Sequence, residues 1–236
     1  KLGFEQPTNV QAQAIPELLK GKDVVGQSQT GTGKTAAFSL PILEQIDVKD
    51  TVVQALILTP TRELAQQVAS AMKNFSHDRA LKILTVYGGQ SIDRQIQTLK
   101  RGVQVVVGTP GRIIDLLNRK ALRLDTLRFV VLDEADEMLS MGFIDDVREI
   151  LRQAPQQRQT ACFSATMPRL IQDLINQFMD NPVSLKVEQP KGTPNQIEQR
   201  VYKVPRGWTK VKTLQPILAV ENPESALIFV RTKRTA

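Results

Sequence analysis

Seven short apolar runs divide the first 187 residues of this 236-residue chain: DVVGQ (23–27), ALILT (55–59), ILTVY (83–87), VQVVVG (103–108), FVVLD (129–133), TACFS (160–164) and VSLKV (183–187). Each is rich in Val, Ile or Leu and suits a strand covered on both faces. Between them lie amphipathic stretches such as ELAQQVASAMKNF (63–75) and GFIDDVREILRQ (142–153), whose apolar residues recur near i, i+3, i+4 and i+7. Those read as helices. Strand and helix in alternation require crossover connections, so the expected class is α/β with a mostly parallel central sheet and helices on its faces.

After Val187 the texture changes. EQPKGTPNQIEQR is polar and interrupted by Pro190, Gly192 and Pro194, which is linker chemistry. Beyond it VYKV (201–204), a helix around Lys210 to Val220 and SALIFVRT (225–232) restart the βαβ pattern, with too little chain for a second sheet. The expected organisation is a domain over 1–187, a linker over 188–209 and the start of a second domain over 210–236. The apolar ALIFV, lacking a sheet, is expected to be disordered or held in an intermolecular contact. Charge shifts at the same place: residues 188–236 carry nine of the 31 Lys and Arg but only four of the 24 Asp and Glu. A basic tail fits a polyanion partner or a solvated surface, and charge alone favours the latter.

A hydrophobic content of 41% is enough for a buried core. The single cysteine, Cys162, excludes an internal disulfide framework and fits a reducing compartment. No apolar run approaches the roughly 18 residues of a membrane span, and KLGFEQPTNV lacks a signal-peptide apolar segment. A soluble cytoplasmic protein with no membrane partner is expected.

Chemistry concentrates at the ends of the apolar runs. DVVGQ leads into SQTGTGKTAAF, where glycines before a helix let backbone N–H groups close on a phosphate and the helix N-terminus favours the anion. Gln29, Thr30, Gly31, Thr32 and Gly33 form the candidate phosphate loop. Lys34 would reach the β and γ phosphates and Thr35 would place its hydroxyl on Mg²⁺. The usual first glycine of GxxxxGK[ST] is Ser28 here, so the motif alone leaves a Gly-rich turn open. FVVL then runs into Asp133, Glu134, Asp136 and Glu137. Asp133, at a strand end, suits a magnesium aspartate, and Glu134 suits a group that orients the attacking water. A helix N-terminus decorated with acids explains the charge but not its position at a strand end.

DEAD (133–136) resembles the name-giving motif of the DEAD-box RNA helicases. In the same family order, GFEQPTNVQ (3–11) resembles the Q motif, GQSQTGTGKT (26–35) motif I, PTRELA (60–65) motif Ia, TPGR (109–112) motif Ib and SAT (164–166) motif III. Motif I of the family usually has Ala where this chain has Ser28, a small-for-small change. The resemblance implies a three-layer RecA-like phosphate-loop NTPase domain that uses ATP and Mg²⁺. It implies that Gln11 reads adenine and Phe4 stacks on it. Asp136, Ser164 and Thr166 would couple the ATP site to the RNA-bound closed state. Pro60, Thr61, Arg62, Gly88, Gly89, Thr109, Gly111 and Arg112 would contact RNA phosphates, giving affinity with little sequence information. Preference for RNA is inherited from the family.

SALIFVRTK resembles motif IV, at the first strand of a second RecA-like domain, and the family's later motifs have no counterpart. The expectation is an ATP-dependent RNA helicase fragment that lacks the domain needed for closure, hydrolyses ATP feebly and does not unwind alone. The alternatives are a non-catalytic RNA-binding module and a DNA-directed translocase. Intact Lys34, Thr35, Asp133 and Glu134 speak against the first, the Q motif and DEAD tetrad against the second. His77 and Cys162 are assigned no catalytic role. Pro41 falls in the helix after Lys34, where it should bend or shorten that helix unless it lies near its first turn.

Overall fold

The computed structural model describes residues 5–29, 31–76, 79–186, 198 and 200–230. Phe4, Thr30 and His77, and half of the expected linker, lie outside the described residues. The chain divides into two compact units, Lys1–Gln189 and Pro190–Ala236.

In the first unit all seven apolar runs form strands: β1 (Val24–Gln27), β2 (Ala55–Leu58), β3 (Ile83–Val86), β4 (Val105–Gly108), β5 (Phe129–Leu132), β6 (Gln159–Ser164) and β7 (Val183–Lys186). They make one sheet in the order β3-β4-β2-β5-β6-β1-β7, with every pairing parallel. The helices between them are α1 (Asn9–Leu19), α2 (Lys34–Gln45), α3 (Arg62–Ser76), α4 (Ile92–Lys100), α5 (Pro110–Asn118), α6 (Ala135–Ser140), α7 (Ile144–Gln153) and α8 (Arg169–Phe178).

Successive strand residues point to opposite faces, and each face has its own core. Ala55 and Ile57 join Val10, Phe38, Ile42, Val68 and Met72 from α1 to α3. Leu56 and Leu58 join Ile113, Leu116, Met138, Ile150 and Leu174 from α5 to α8. The result is three layers. Edge strand β3 departs from the expectation of two covered faces: Ile83, Leu84 and Thr85 are only half-buried, because one side of β3 has no neighbouring strand.

Pro41 neither shortens nor ends α2. It is buried in the helix, which continues to Gln45. A proline lacks only its own N–H, and the packing of Phe38, Ile42 and Leu43 on either side of it compensates for one missing bond. At the N-terminal rim of the sheet, buried glutamines fasten the incoming loops. Gln54 bridges Asp47 and Asp50, Gln104 bridges Lys82, Val48 and Asp50, and Gln159 donates to Leu18 and Lys22. Asp23 does similar work, accepting from the backbone N–H groups of Thr160 (2.7 Å) and Asp180 (2.8 Å).

The second unit contains α9 (Lys210–Glu221), capped by the Thr209 hydroxyl and burying no residue. Arg200 pairs with Glu198 and Glu221. The expected strands VYKV and SALIFVRT are corrected: 201–204 and 225–230 are irregular, with Val201, Leu227 and Phe229 more than 80% exposed. A β-prone segment forms a strand only where another strand takes its N–H and C=O groups, and among the described residues none does.

Gly26 in β1 lies against the ring of Phe163, and a Cβ there would stand 2.5 Å from Phe163 Cδ1. Phe163 is fully buried and packed on Phe38 at 5.7 Å between ring centroids, so it has nowhere to go. Gly26→Ala is therefore expected to cost about 1–3 kcal/mol in urea unfolding, the usual penalty of overpacking a core.

Candidate active site at the C-terminal rim of the sheet

A parallel sheet sends every strand exit to one rim. Here the exits fall into two sets. Strands β5, β6 and β1 are neighbours and release Asp133, Ser164 to Thr166, and Ser28 to Thr35. Strands β3, β4 and β2 are neighbours too and release Gly88 and Gly89, Thr109 to Arg112, and Pro60 to Arg62. The residues expected to handle nucleotide and those expected to handle RNA thus occupy adjoining halves of one edge.

The loop after β1 turns through two left-handed glycines, Gly31 (φ +78°) and Gly33 (φ +89°), the latter capping α2. Ser28 is buried; its N–H donates to Ser164 O (3.0 Å) and its carbonyl accepts from Lys34 Nζ (3.1 Å). Thr32 donates its hydroxyl hydrogen to Gln29 O (2.9 Å), which closes the turn. Lys34 is buried and Thr35 half-buried at the first turn of α2.

The Q-motif segment braces this loop. Thr8 and Gln11 form a reciprocal capping box at the start of α1, and Gln11 Nε2 donates to Gly33 O (3.2 Å). Gln11 is buried, and its carboxamide holds the phosphate loop as well as its own helix end. A Cβ on Gly33 would stand 2.5 Å from Gln11 Nε2 and 2.9 Å from Thr8 Oγ1. Positive φ and close approach together demand glycine here.

Asp133 ends β5 and is buried, its N–H donating to Leu58 O (3.0 Å). Burial pushes its carboxyl up to about 6, with Lys34 opposing the rise and Glu134 adding to it. Its Oδ1 has no hydrogen-bond partner among the described residues. An orphaned buried carboxylate oxygen normally marks a group that something else completes. Among the described residues no group of three or more His, Cys, Asp or Glu could hold a metal ion. The donors on offer are hard oxygens, a carboxylate and the Thr35 hydroxyl. This suits Mg²⁺, which takes one or two protein oxygens and completes its shell with phosphate and water.

Glu134 follows in the left-handed region (φ 55°, ψ 54°) and caps α6, its carbonyl accepting from Glu137 and Met138. A non-glycine residue there carries local strain of about 1–2 kcal/mol. Asp136, one residue into α6, meets the exit of β6. Its carboxylate accepts from Thr166 N (2.8 Å), Thr166 Oγ1 (2.8 Å) and Ala165 N (3.4 Å). Its own N–H donates to Ser164 Oγ (3.1 Å), which in turn donates to Thr166 O (2.7 Å). Burial raises this carboxyl, but the bonds from Thr166 and Ala165, with the Ser164 hydroxyl close by, outweigh it and hold the group below the usual aspartate range. Cys162, beneath, is pushed up to about 12 by burial and stays a thiol.

In the other half of the rim, Arg62 is exposed and paired with Glu63, whereas Arg112 is largely covered. Three glutamines and a tyrosine around Arg112 escaped the sequence reading: Gln66, Tyr87, Gln90 and Gln95. One of them carried a signal. Gln95 falls on the apolar stripe Ile92, Ile96 and Leu99 of α4, and a polar residue in such a stripe has a partner inside.

An α/β domain with a glycine-turned lysine loop after β1 and a buried aspartate after β5, one strand apart across β6, is a phosphate-loop nucleotide-binding domain in architecture. The sequence profile of the DEAD/DEAH box helicase family matches residues 8–174, and the chain belongs to that family. It is 67% identical over 235 residues to RNA helicase CrhR of Synechocystis sp., covering 100% of this chain and 48% of that protein. It is 50% identical over 234 residues to ATP-dependent RNA helicase CshA of Listeria monocytogenes, covering 99% and 45%. Among solved structures it resembles a DEAD box protein from Methanococcus jannaschii, with TM-score 0.75, 45% identity, and 77% of this chain and 50% of that one covered. The chain spans about half the length of the curated relatives it matches.

The Asp136 link is testable by stability. Its folded-state pKa lies below the unfolded value of about 3.9, so its stabilisation is present above that value and lost as pH falls through the folded pKa. Asp136→Asn should cost about 1 kcal/mol at pH 7, a figure discounted for partial exposure. The gap from wild type should narrow as the pH of acid-titrated urea unfolding falls below the unfolded value of about 3.9.

Proposed function

We propose that residues 1–187 are the ATP-binding RecA-like domain of an ATP-dependent RNA helicase, followed by a linker (188–209) and the start of a second RecA-like domain (210–236). The observation that carries this reading is the buried Asp133, with one oxygen unpartnered among the described residues and Lys34 acting on its charge beside the Gly31 to Gly33 turn. No helix among the described residues is long and apolar enough to cross a membrane, and the reading places the protein in the cytoplasm.

Lys34 leaves the Ser28 carbonyl for the β and γ phosphates, and the N–H groups of 29–35 surround the same anion. Thr35 and Asp133 hold Mg²⁺, which when bound neutralises phosphate charge. Glu134 takes the catalytic water, held at its station by the turn at φ 55°. Gln11, already bonded to Gly33 O, retains a second N–H and lone pair for adenine, with Phe4 stacking on the base. Asp136, Ser164 and Thr166 carry the state of the nucleotide site into the β6 exit. Pro60, Thr61, Arg62, Gly88, Gly89, Thr109, Gly111 and Arg112 bind RNA phosphates, with RNA chosen over DNA as the names of the relatives suggest. A second RecA-like domain completes closure and unwinding, and the exposed ALIFV segment makes an intermolecular contact.

Calorimetry of ATP binding to this chain, with and without Mg²⁺, tests the nucleotide site. Lys34→Ala should weaken binding at least about tenfold, the scale of a charge-assisted contact. Asp133→Asn should remove the Mg²⁺-dependent part alone, and an undiminished Mg²⁺ effect in that variant would sink the metal assignment. In the full-length protein, RNA should stimulate ATP turnover more than DNA does, and Glu134→Gln should lower turnover while ATP still binds. Residues 1–236 alone should hydrolyse ATP feebly, because arginines supplied from a partner element are worth about 10³ to 10⁵ in rate in related phosphate-loop enzymes.

A further inference from the structure

Arg112 does not hang free at the exit of β4. Its Nη1 donates to Gln95 Oε1 (2.9 Å) and to Gln90 O (3.2 Å), and its Nε lies 4.0 Å from Asp115 Oδ2. Asp115 is engaged elsewhere, accepting from Arg119 Nε at 2.7 Å. Gln95 is 4% exposed, and its Nε2 donates to Tyr87 O (3.4 Å). The Tyr87 hydroxyl accepts from Gln66 Nε2 of α3 (2.5 Å) and from Gln90 Nε2 (2.6 Å). One cluster therefore ties α3, the Gly88 to Gln90 turn, α4 and the start of α5 together. Arg112 Nη2 has no protein partner among the described residues.

We infer that Gln95 is a positioning residue that presents Arg112 to a nucleic-acid phosphate, and that a neutral amide is what the position requires. This rests on the reading of Arg112 as a phosphate contact. An unrestrained arginine loses about 2 kcal/mol of rotamer entropy when it is fixed. A buried acceptor that fixes it beforehand spares RNA binding that loss. A carboxylate would fix it as well but would neutralise the charge the phosphate is to meet, whereas an amide oxygen orients the guanidinium and leaves its charge intact. Of the five guanidinium donors, Nη1 serves the protein and Nη2 stays available.

The test is fluorescence anisotropy of this chain with a labelled single-stranded oligouridylate across a salt series, each variant first shown by thermal unfolding to be folded at the assay temperature. Arg112→Ala should weaken binding about tenfold and reduce the salt slope by about one, as expected for one phosphate contact. Gln95→Leu should reproduce most of that loss, and the double variant should bind no more weakly than Arg112→Ala alone. Gln95→Glu preserves size and the acceptor, and should also weaken binding with the slope reduced by about one. It decides the matter if Gln95→Leu does not fold. Wild-type binding by Gln95→Glu, or additive losses in the double variant, overturns the positioning role while leaving Arg112 as a phosphate contact. An Arg112→Ala variant that binds like wild type overturns the phosphate reading and the inference with it.

Discussion

The parallel ladder joining β5, β6 and β1 is the constraint on which the site depends. Leu132 pairs with Cys162 and Gln27 with Ser164. That register brings the lysine loop, the acidic turn and the Ser-Ala-Thr turn out side by side, and Ser28 N–H to Ser164 O extends the ladder one residue beyond the strands. A shift of one residue in any strand would turn its core residues to the other face. The two separate cores oppose such a slip, because each strand is committed to apolar partners above and below. The tolerance at the rim is therefore set in the middle of the sheet, by packing among apolar residues.

Within that rim, the groups are held in incomplete states by complete surroundings. Lys34 and Asp133 are both buried, yet among the described residues Asp133 keeps an unpartnered oxygen and an elevated carboxyl. Burying a charged group without full partners is costly, and such a cost persists only where neighbouring structure holds it. Here the holding is visible: Gln11 on Gly33, Asp133 N–H on Leu58, and four hydrogen bonds linking Asp136 to the β6 exit. Asp136 shows the contrast. It stands three residues from Asp133 and has its carboxylate fully engaged, so its pKa moves down where that of Asp133 moves up.

All seven strands were legible in the sequence because each is a short, β-branched apolar run bounded by turn chemistry, and the face of the helices was legible from their period. The positions of Lys34, Asp133 and Asp136 at strand or helix boundaries followed from the same pattern. What escaped was carried by glutamine. Gln54, Gln104 and Gln159 at one rim and Gln66, Gln90 and Gln95 at the other make bonds to backbone or to Tyr87 across spans of up to 141 residues, and no local pattern encodes such a partner. The two strands expected in 201–230 failed for a related reason. Both segments are rich in β-branched or aromatic residues, but a strand is a property of a pair, and no described segment offers the other half.

The strand order also keeps the two sets of loops proposed to serve nucleotide and RNA on separate halves of one rim. Strands β2 and β5 are neighbours, so the exit at Thr59 to Arg62, proposed to face RNA, adjoins the exit at Asp133, proposed to face nucleotide. The two halves touch directly through backbone: Asp133 N–H donates to Leu58 O, and Thr59 N–H donates to Gly108 O, which leads into Thr109. The acidic turn is thus connected to the loop after β4 through peptide groups rather than through long side chains. Hydrogen-bonded backbone of this kind has few soft degrees of freedom. A movement of α6 would either be transmitted to the loops after β2 and β4 or be absorbed by breaking the Asp136 to Thr166 bonds. The second route lies at the less buried end and breaks bonds with polar neighbours, so the Ser-Ala-Thr turn is the element that yields first, and the sheet edge is the part that stays fixed.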